Sequence, residues 1–302
     1  SIVVTTSNSE GKGKKTKITQ YIGYDTPKAA DNLKLDINAE TGDVNLTWDA
    51  VTAGVNDGFI GDIKYDVVRY PGETVVAKGV TATSATDKLN TRDLTAYAYG
   101  VKAYNDKKTG AEARTDYKLY GDPITPPYAE GFDSKDAMAY FTVINNNDDK
   151  STWTYYQNSD GSGEVRYTYN SKNGGDDWLI TPPLKVEKGK IYTVKFKAKS
   201  YKSSFVERLE VKYGSTNTVE GMKNVILEPT DLPGSEFTEY TKEITASEDG
   251  TLYIGFHAVS DADMFYLQLD DISVGAGMST TAPDAVSELT AVPGDKGAKS
   301  AT

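Results

Sequence analysis

Apolar and polar residues alternate along most of this chain, and a period of two predicts strands rather than helices. The clearest case is DMFYLQLDDISV (263–274). Its apolar positions recur until two adjacent carboxylates, Asp270 and Asp271, after which Ile272 and Val274 close the run. Similar segments are WTYYQ (153–157), EVRYTYN (164–170), IYTVKFKAK (191–199), RLEVKYG (208–214), FTEYTKEIT (237–245) and TLYIGFHAV (251–259). Turn-rich intervals such as NSKNGGDD (170–177) separate them. This spacing predicts a two-sheet jelly roll from about residue 128 onward. No segment sustains a helical period, and helix is expected only as a short turn near 134–139.

The first half has its own pattern. Tyr97, Tyr99, Val101, Ala103 and Asn105 lie at alternate positions and lead to Gly110, while Trp48 sits in VNLTWDA and KYDVVRY (64–70) forms another run. These features resemble a fibronectin type III domain, with Trp48 as its buried second-strand tryptophan and Tyr97 at the tyrosine corner. The leucine before that tyrosine, Leu94, is nearer than the family pattern has it, which shortens the loop. Val4, Thr6, Asn8 and Gly11 repeat the 101–110 pattern, so residues 1–25 resemble the last two strands of a preceding module of this type. Pro283, Ala285 and Leu289 repeat the spacing of Pro27, Ala29 and Leu33, so residues 278–302 resemble a linker and the first strand of a further one. The expected organisation is all-β: a fibronectin type III sandwich over 26–127, a jelly-roll β-sandwich over 128–277, and partial fibronectin type III modules at both termini.

Composition narrows the function. At 302 residues the chain can hold two domains with separate cores. A formal charge of −11 argues against nucleic acid as a partner, since phosphate binding draws on clustered Lys and Arg. Cysteine is absent, which removes disulfides, thiol catalysis and zinc–thiolate sites. No apolar run is long enough to span a bilayer, so no membrane insertion is expected in this segment. Ser1 is not a natural start, which points to a processed or shortened chain. The 21 Tyr against 8 Phe favour twisted sheets.

The second half resembles a known group. EGFD (130–133), DDWLITPPLKV (176–186), GKIYTVKFKAKS (189–200), ERLEVKYGSTNT (207–218) and the closing LDD are similar to the cleaved-adhesin domains of gingipain-type surface proteins. They are similar too to the related choice-of-anchor J jelly rolls. The resemblance covers residues 128–277, about half the chain, and implies that the first and last strands lie side by side. It also implies a structural Ca2+ there, with Glu130, Asp270, Asp133 and Asp271 as the matching positions and Asp148 and Asp149 of the NNNDD loop (145–149) as further ones. The chemistry is consistent, because Ca2+ takes six to eight oxygens and clustered carboxylates repel one another without a cation.

Other constellations are weighed on their chemistry. Trp153, Tyr155 and Tyr167, with Tyr156 and Tyr169, fall in neighbouring strands and could form an aromatic platform for glycan. Alternation puts Trp153 and Tyr155 on one face and Tyr156 on the other; the competing reading is that one set fills the core. Trp178 reads as a buried anchor. His257, the one histidine, sits in a strand with no nucleophile–base–acid set around it, and no Glu-x-Asp-x-x-Glu run of sandwich-fold hydrolases is present. GKGKKTK (11–17) reads as a solvated basic turn, and no phosphate-binding glycine motif occurs. The resulting expectation is no enzyme and no catalytic residues. The chain would be a binding or adhesion region of a secreted or cell-surface bacterial protein. Its jelly roll would take glycan or a host or matrix protein, beside neighbouring modules of the same polypeptide. The runner-up is an accessory region of a larger secreted peptidase or glycan hydrolase.

Overall fold

The computed structural model describes residues 2–279, and the chain divides into two compact units. The first comprises Ser1–Ile124 with Ser134–Thr142. Its strands are β1 (Ile2–Asn8), β2 (Gly11–Ile18), β3 (Lys34–Ile37), β4 (Asp43–Thr47), β5 (Lys64–Tyr70) and β6 (Thr74–Val80), followed by β7 (Ser84–Lys88), β8 (Thr95–Tyr104), β9 (Thr109–Arg114) and β10 (Lys118–Tyr120). One sheet runs β3-β4-β7. The other runs β10-β8-β5-β6, with β9 also on β8. Between them lie Trp48, Tyr65, Val67, Tyr97, Tyr99, Val101 and Ala103, the alternation read from the sequence. Trp48 meets Tyr65 edge-on at 5.3 Å.

β1 and β2 form a separate antiparallel hairpin, with Ile2 opposite Ile18 and Asn8 opposite Gly11. Its turn is closed by Asn8 Oδ1, which accepts from Glu10 N and Gly11 N. All but Thr5 of its strand residues are exposed. The chain after it is pinned by Asp25, which is fully buried and organises the 54–58 loop. Its carboxylate accepts from Asn56 N at 2.7 Å, Asn56 Nδ2 at 2.9 Å, Gly58 N at 3.0 Å and Thr26 N at 2.8 Å.

The second unit comprises Thr125–Asp133 and the chain from Val143. It opens with β11 (Tyr128–Glu130), β12 (Thr142–Asn145), β13 (Trp153–Gln157), β14 (Gly163–Thr168), β15 (Asp177–Ile180), β16 (Leu184–Val186) and β17 (Lys190–Ser200). It continues with β18 (Arg208–Gly214), β19 (Asn224–Asp231), β20 (Thr238–Thr245), β21 (Gly250–Ala258), β22 (Tyr266–Val274) and β23 (Met278–Ser279). Two sheets face each other, as in a jelly roll. The front sheet is β13-β14-β22-β17-β20, with β11 beside β22 and β23 beside β17; the back sheet is β12-β15-β21-β18-β19, with β16 on β21. Phe196 of β17 and Phe256 of β21 meet across the interior at 5.2 Å.

The expected adjacency of first and last strands is present: Tyr128 faces Val274 and Glu130 faces Ile272. The back sheet has a small second core on its outer side, where Trp178, Ile180 and Met222 pack beneath Val219 and Tyr253. The helical expectation near 134–139 is met by a 3-10 turn, Lys135–Tyr140, capped by Ser134. The further fibronectin-like strand expected within 278–302 lies outside the described residues, apart from β23.

Candidate functional site

The outward face of the front sheet carries the exposed ring of Tyr156 beside half-buried Arg166 and Tyr266. Its composition follows from register. β14 turns Val165 and Tyr167 inward, opposite Leu269 and Leu267 of β22, and so turns Glu164, Arg166 and Thr168 outward. Arg166 stands opposite Gln268, and Gln268 opposite Lys199 of β17. On β13, Tyr156 stands opposite Glu164.

These side chains form one network. The Arg166 guanidinium carbon lies 3.3 Å from the centre of the Tyr156 ring and 4.5 Å from that of Tyr266, so the cation is held between two aromatic faces. Its Nε donates to Glu164 Oε1, and its second terminal nitrogen reaches Asn158 Oδ1 at 3.2 Å. Gln268 Nε2 donates to the same Glu164 oxygen at 2.6 Å. Glu164 is only 2 % exposed, whereas the Tyr156 ring above it is 43 % exposed. At one end of the face a half-buried aromatic group continues the surface. Tyr201 stacks on Phe265 at 4.7 Å, Phe265 stacks on Tyr169 at 5.5 Å, and Phe205 leans on Phe265 at 5.3 Å. Phe265 holds a left-handed backbone at φ 83°, a costly conformation for an aromatic residue that fixes its ring between the two tyrosines.

The aromatic platform expected from the sequence is corrected in its membership. Trp153 and Tyr167 are 2 % and 1 % exposed, and Trp153 Nε1 donates to the carbonyl of Asp177 at 3.0 Å. Both rings fill the core, because their register partners face inward, and neither can stack on a ligand. Tyr155 is half-buried on that same inner side, as the alternation predicted. Arg166, Tyr266, Gln268 and Asn158 went unrecognised. The signal was the outward register of YLQ in β22 against EVRYT in β14.

The strand-end acids occupy neighbouring strands but do not form a cage. Among the described residues no three histidine, aspartate or glutamate side chains gather as a metal group. Glu130 Oε1 accepts from Phe132 N at 2.7 Å; burial pushes its carboxyl above the usual range, and the nearby Asp133 adds to this. Asp270 is pushed up to about 6, by burial first and then by Asp271 and Glu164, against the pull of Asp271 N and Lys197. Asp271 Oδ2 pairs with Lys197 at 2.7 Å. Carboxylate oxygens are donors that Ca2+ takes, but among the described residues they do not gather into a three-carboxylate group. Asp149 turns to the 170–177 region: it accepts from Ser151 N at 2.7 Å and from Asn173 at 3.3 Å. Asp148, next to it, is exposed with φ 52°.

His257 is a satisfied strand histidine. Nδ1 lies 2.9 Å from Glu210 Oε2 and Nε2 lies 2.8 Å from Asp176 Oδ1, while Trp178 stacks on the ring at 4.0 Å.

No family model and no curated protein matches the chain. Solved structures do resemble it. The K1 cleaved adhesin domain of Lys-gingipain from Porphyromonas gingivalis W83 is 20 % identical, covers 50 % of this chain and 98 % of its own, and gives a TM-score of 0.41. The K3 domain of the same protein is 18 % identical over 49 % of this chain and 96 % of its own, with a TM-score of 0.41. The CBM22-1 xylan-binding domain of Paenibacillus barcinonensis Xyn10C is 10 % identical over 53 % of this chain and 100 % of its own, with a TM-score of 0.38. At such identities the likeness speaks of fold alone.

Proposed function

We propose that this chain is a non-catalytic binding region and that the outward face of the front sheet binds glycan. The observation that carries this reading is the Tyr156–Arg166–Tyr266 stack with Asn158 at its border, while Gln268 lies buried beneath it and holds Glu164. A sugar ring offers an apolar C–H face and a rim of hydroxyls. It is therefore matched by an accessible ring beside planar side chains that donate and accept in fixed directions. The surface suits a polar ligand better than an apolar protein interface. The large hydrophobics exposed on this unit, Val143, Tyr156, Val206, Val225 and Met278, come from separate segments of the chain. In a secreted or surface-displayed protein, such a face would serve adhesion to polysaccharide or glycosylated surfaces.

Calcium enters the proposal as a stabilising ion. Glu130 and Asp270 would hold it, with backbone carbonyls and water completing the shell, and it would supply the positive charge that two half-buried carboxyls lack. Glycan-array screening of the wild-type chain beside Tyr156→Ala tests the binding reading. Glycans bound by the first and released by the second support it; identical profiles overturn it.

A further inference from the structure

Buried polar atoms are nearly always hydrogen-bonded, so exceptions ask for a reason. In the second unit Glu207 Oε1 and Oε2, Tyr167 Oη and Asp177 Oδ1 are exceptions, with no partner of ordinary hydrogen-bond geometry. Glu207 is the extreme case, with no exposed surface and no hydrogen bond of ordinary geometry to either carboxylate oxygen, the Ser260 hydroxyl lying close by.

Its backbone is firmly held. Glu207 N donates to Ser200 Oγ at 2.9 Å, and Leu232 N donates to the Glu207 carbonyl at 2.8 Å. The Ser260 hydroxyl is placed for the main chain, accepting from Arg208 N at 2.8 Å. The titratable and charged groups around Glu207 are few. Tyr167 faces it from β14 and also feels Asp177 and Asp149 beyond. Arg208, the adjacent residue, turns its guanidinium outward to Asp231 at 2.8 Å. Among the described residues no ion pair includes Glu207. A carboxylate in that position would be desolvated and uncompensated, whereas a neutral carboxylic acid is tolerated.

We infer that Glu207 is carried as a protonated acid in the folded jelly roll, and that its ionisation as pH rises loosens the crossover of residues 200–207. The consequence reaches the surface, because Tyr201 and Phe205 ride on that crossover and pack against Phe265. The device stands whether or not the outward face binds sugar. Burial pushes the Glu207 carboxyl from an ordinary 4.5 up to about 8, with the Ser260 hydroxyl pulling the other way. The sign follows. The folded state binds a proton that the unfolded chain releases above 4.5, so stability is greatest below that value and is lost as pH rises through about 8.

Thermal melts of wild type and Glu207→Gln between pH 5 and 9 test this, together with amide exchange at 200–207 corrected for intrinsic rate. The wild type should lose several degrees in Tm from pH 5 to 9 and lose protection in the crossover, while Glu207→Gln should be flatter and more stable at pH 9. A variant weakened equally at every pH would overturn the inference, since it would mean that the carboxylate makes a needed contact. Should the variant fail to fold, the carboxyl 13C titration of Glu207 in the wild type decides. A midpoint well above the ordinary glutamate value supports the device, and one at or below it overturns it.

Discussion

Arg166 lies face to face with Tyr156, its guanidinium carbon 3.3 Å from the ring centre, and beneath them it neutralises the buried Glu164. The arginine therefore has two roles, shaping the accessible surface and compensating a charge that is 2 % exposed. Arg166→Ala leaves Glu164 buried without its countercharge, held only by the amides of Gln268 and Asn158. It should cost about 3 kcal/mol in denaturant unfolding, the usual scale for breaking a buried pair from one side. The double variant Glu164→Gln with Arg166→Met should recover most of that loss. If the single variant is neutral, the pair does not support the face.

Trp153 tests the boundary between core and surface. With 2 % of its area exposed, Trp153→Ala should destabilise the second unit by roughly 3–5 kcal/mol, the range for large aromatic truncations. Trp153→Phe should lose less, with the bond from Nε1 to the Asp177 carbonyl as part of the difference. A Trp153→Ala protein of wild-type stability would return this ring to the list of ligand contacts.

Much of the fold was legible in the sequence because alternation records which side of a strand is buried. WTYYQ and RLEVKYG coincide with β13 and β18, and Trp48 and Tyr97 are both buried in the core of the first unit. β19 was missed because it carries Pro229 and is mostly exposed, so it lacks an apolar stripe. The site was less legible for a different reason. Alternation separates two faces but does not say which is the interior. That choice depends on Tyr167 standing opposite Leu267, a pairing between segments 100 residues apart. Trp153 and Tyr167 were selected as aromatics, and the partner strand had already claimed them.

Asp25 gives the first unit an acid-sensitive lock. Burial pushes its carboxyl up, yet the Asn56 side chain and the N–H groups of Gly58, Asn56 and Thr26 outweigh this and hold it at about 2. The contribution is therefore complete above the ordinary 3.8 and lost as pH falls toward 2. Amide exchange should show Asn56 and Gly58 losing protection below about pH 4, ahead of the core amides of β8. Asp25→Ala should expose the same two amides at neutral pH. Unchanged protection in that variant would rule out the lock.

Calcium has a direct readout at Asp270, whose titration midpoint is expected near 6 in metal-free protein. An ion bound to the carboxylate favours its charged form, so added CaCl2 should lower that midpoint and raise the melting temperature, and Glu130→Gln should weaken both effects. If the midpoint and the melting temperature stay fixed in calcium and in chelator, no ion is held between β11 and β22.

The binding claim is tested most directly by calorimetric titration of an array-positive glycan into wild type and Tyr156→Ala. Tyr156 is chosen because its exposed ring can be removed with little effect on the core. The account predicts at least tenfold weaker binding for the variant, about 1.4 kcal/mol, with the fold retained and only a small drop in melting temperature from the lost Arg166 stack. Equal affinity in the two proteins would contradict it and move the ligand off this face.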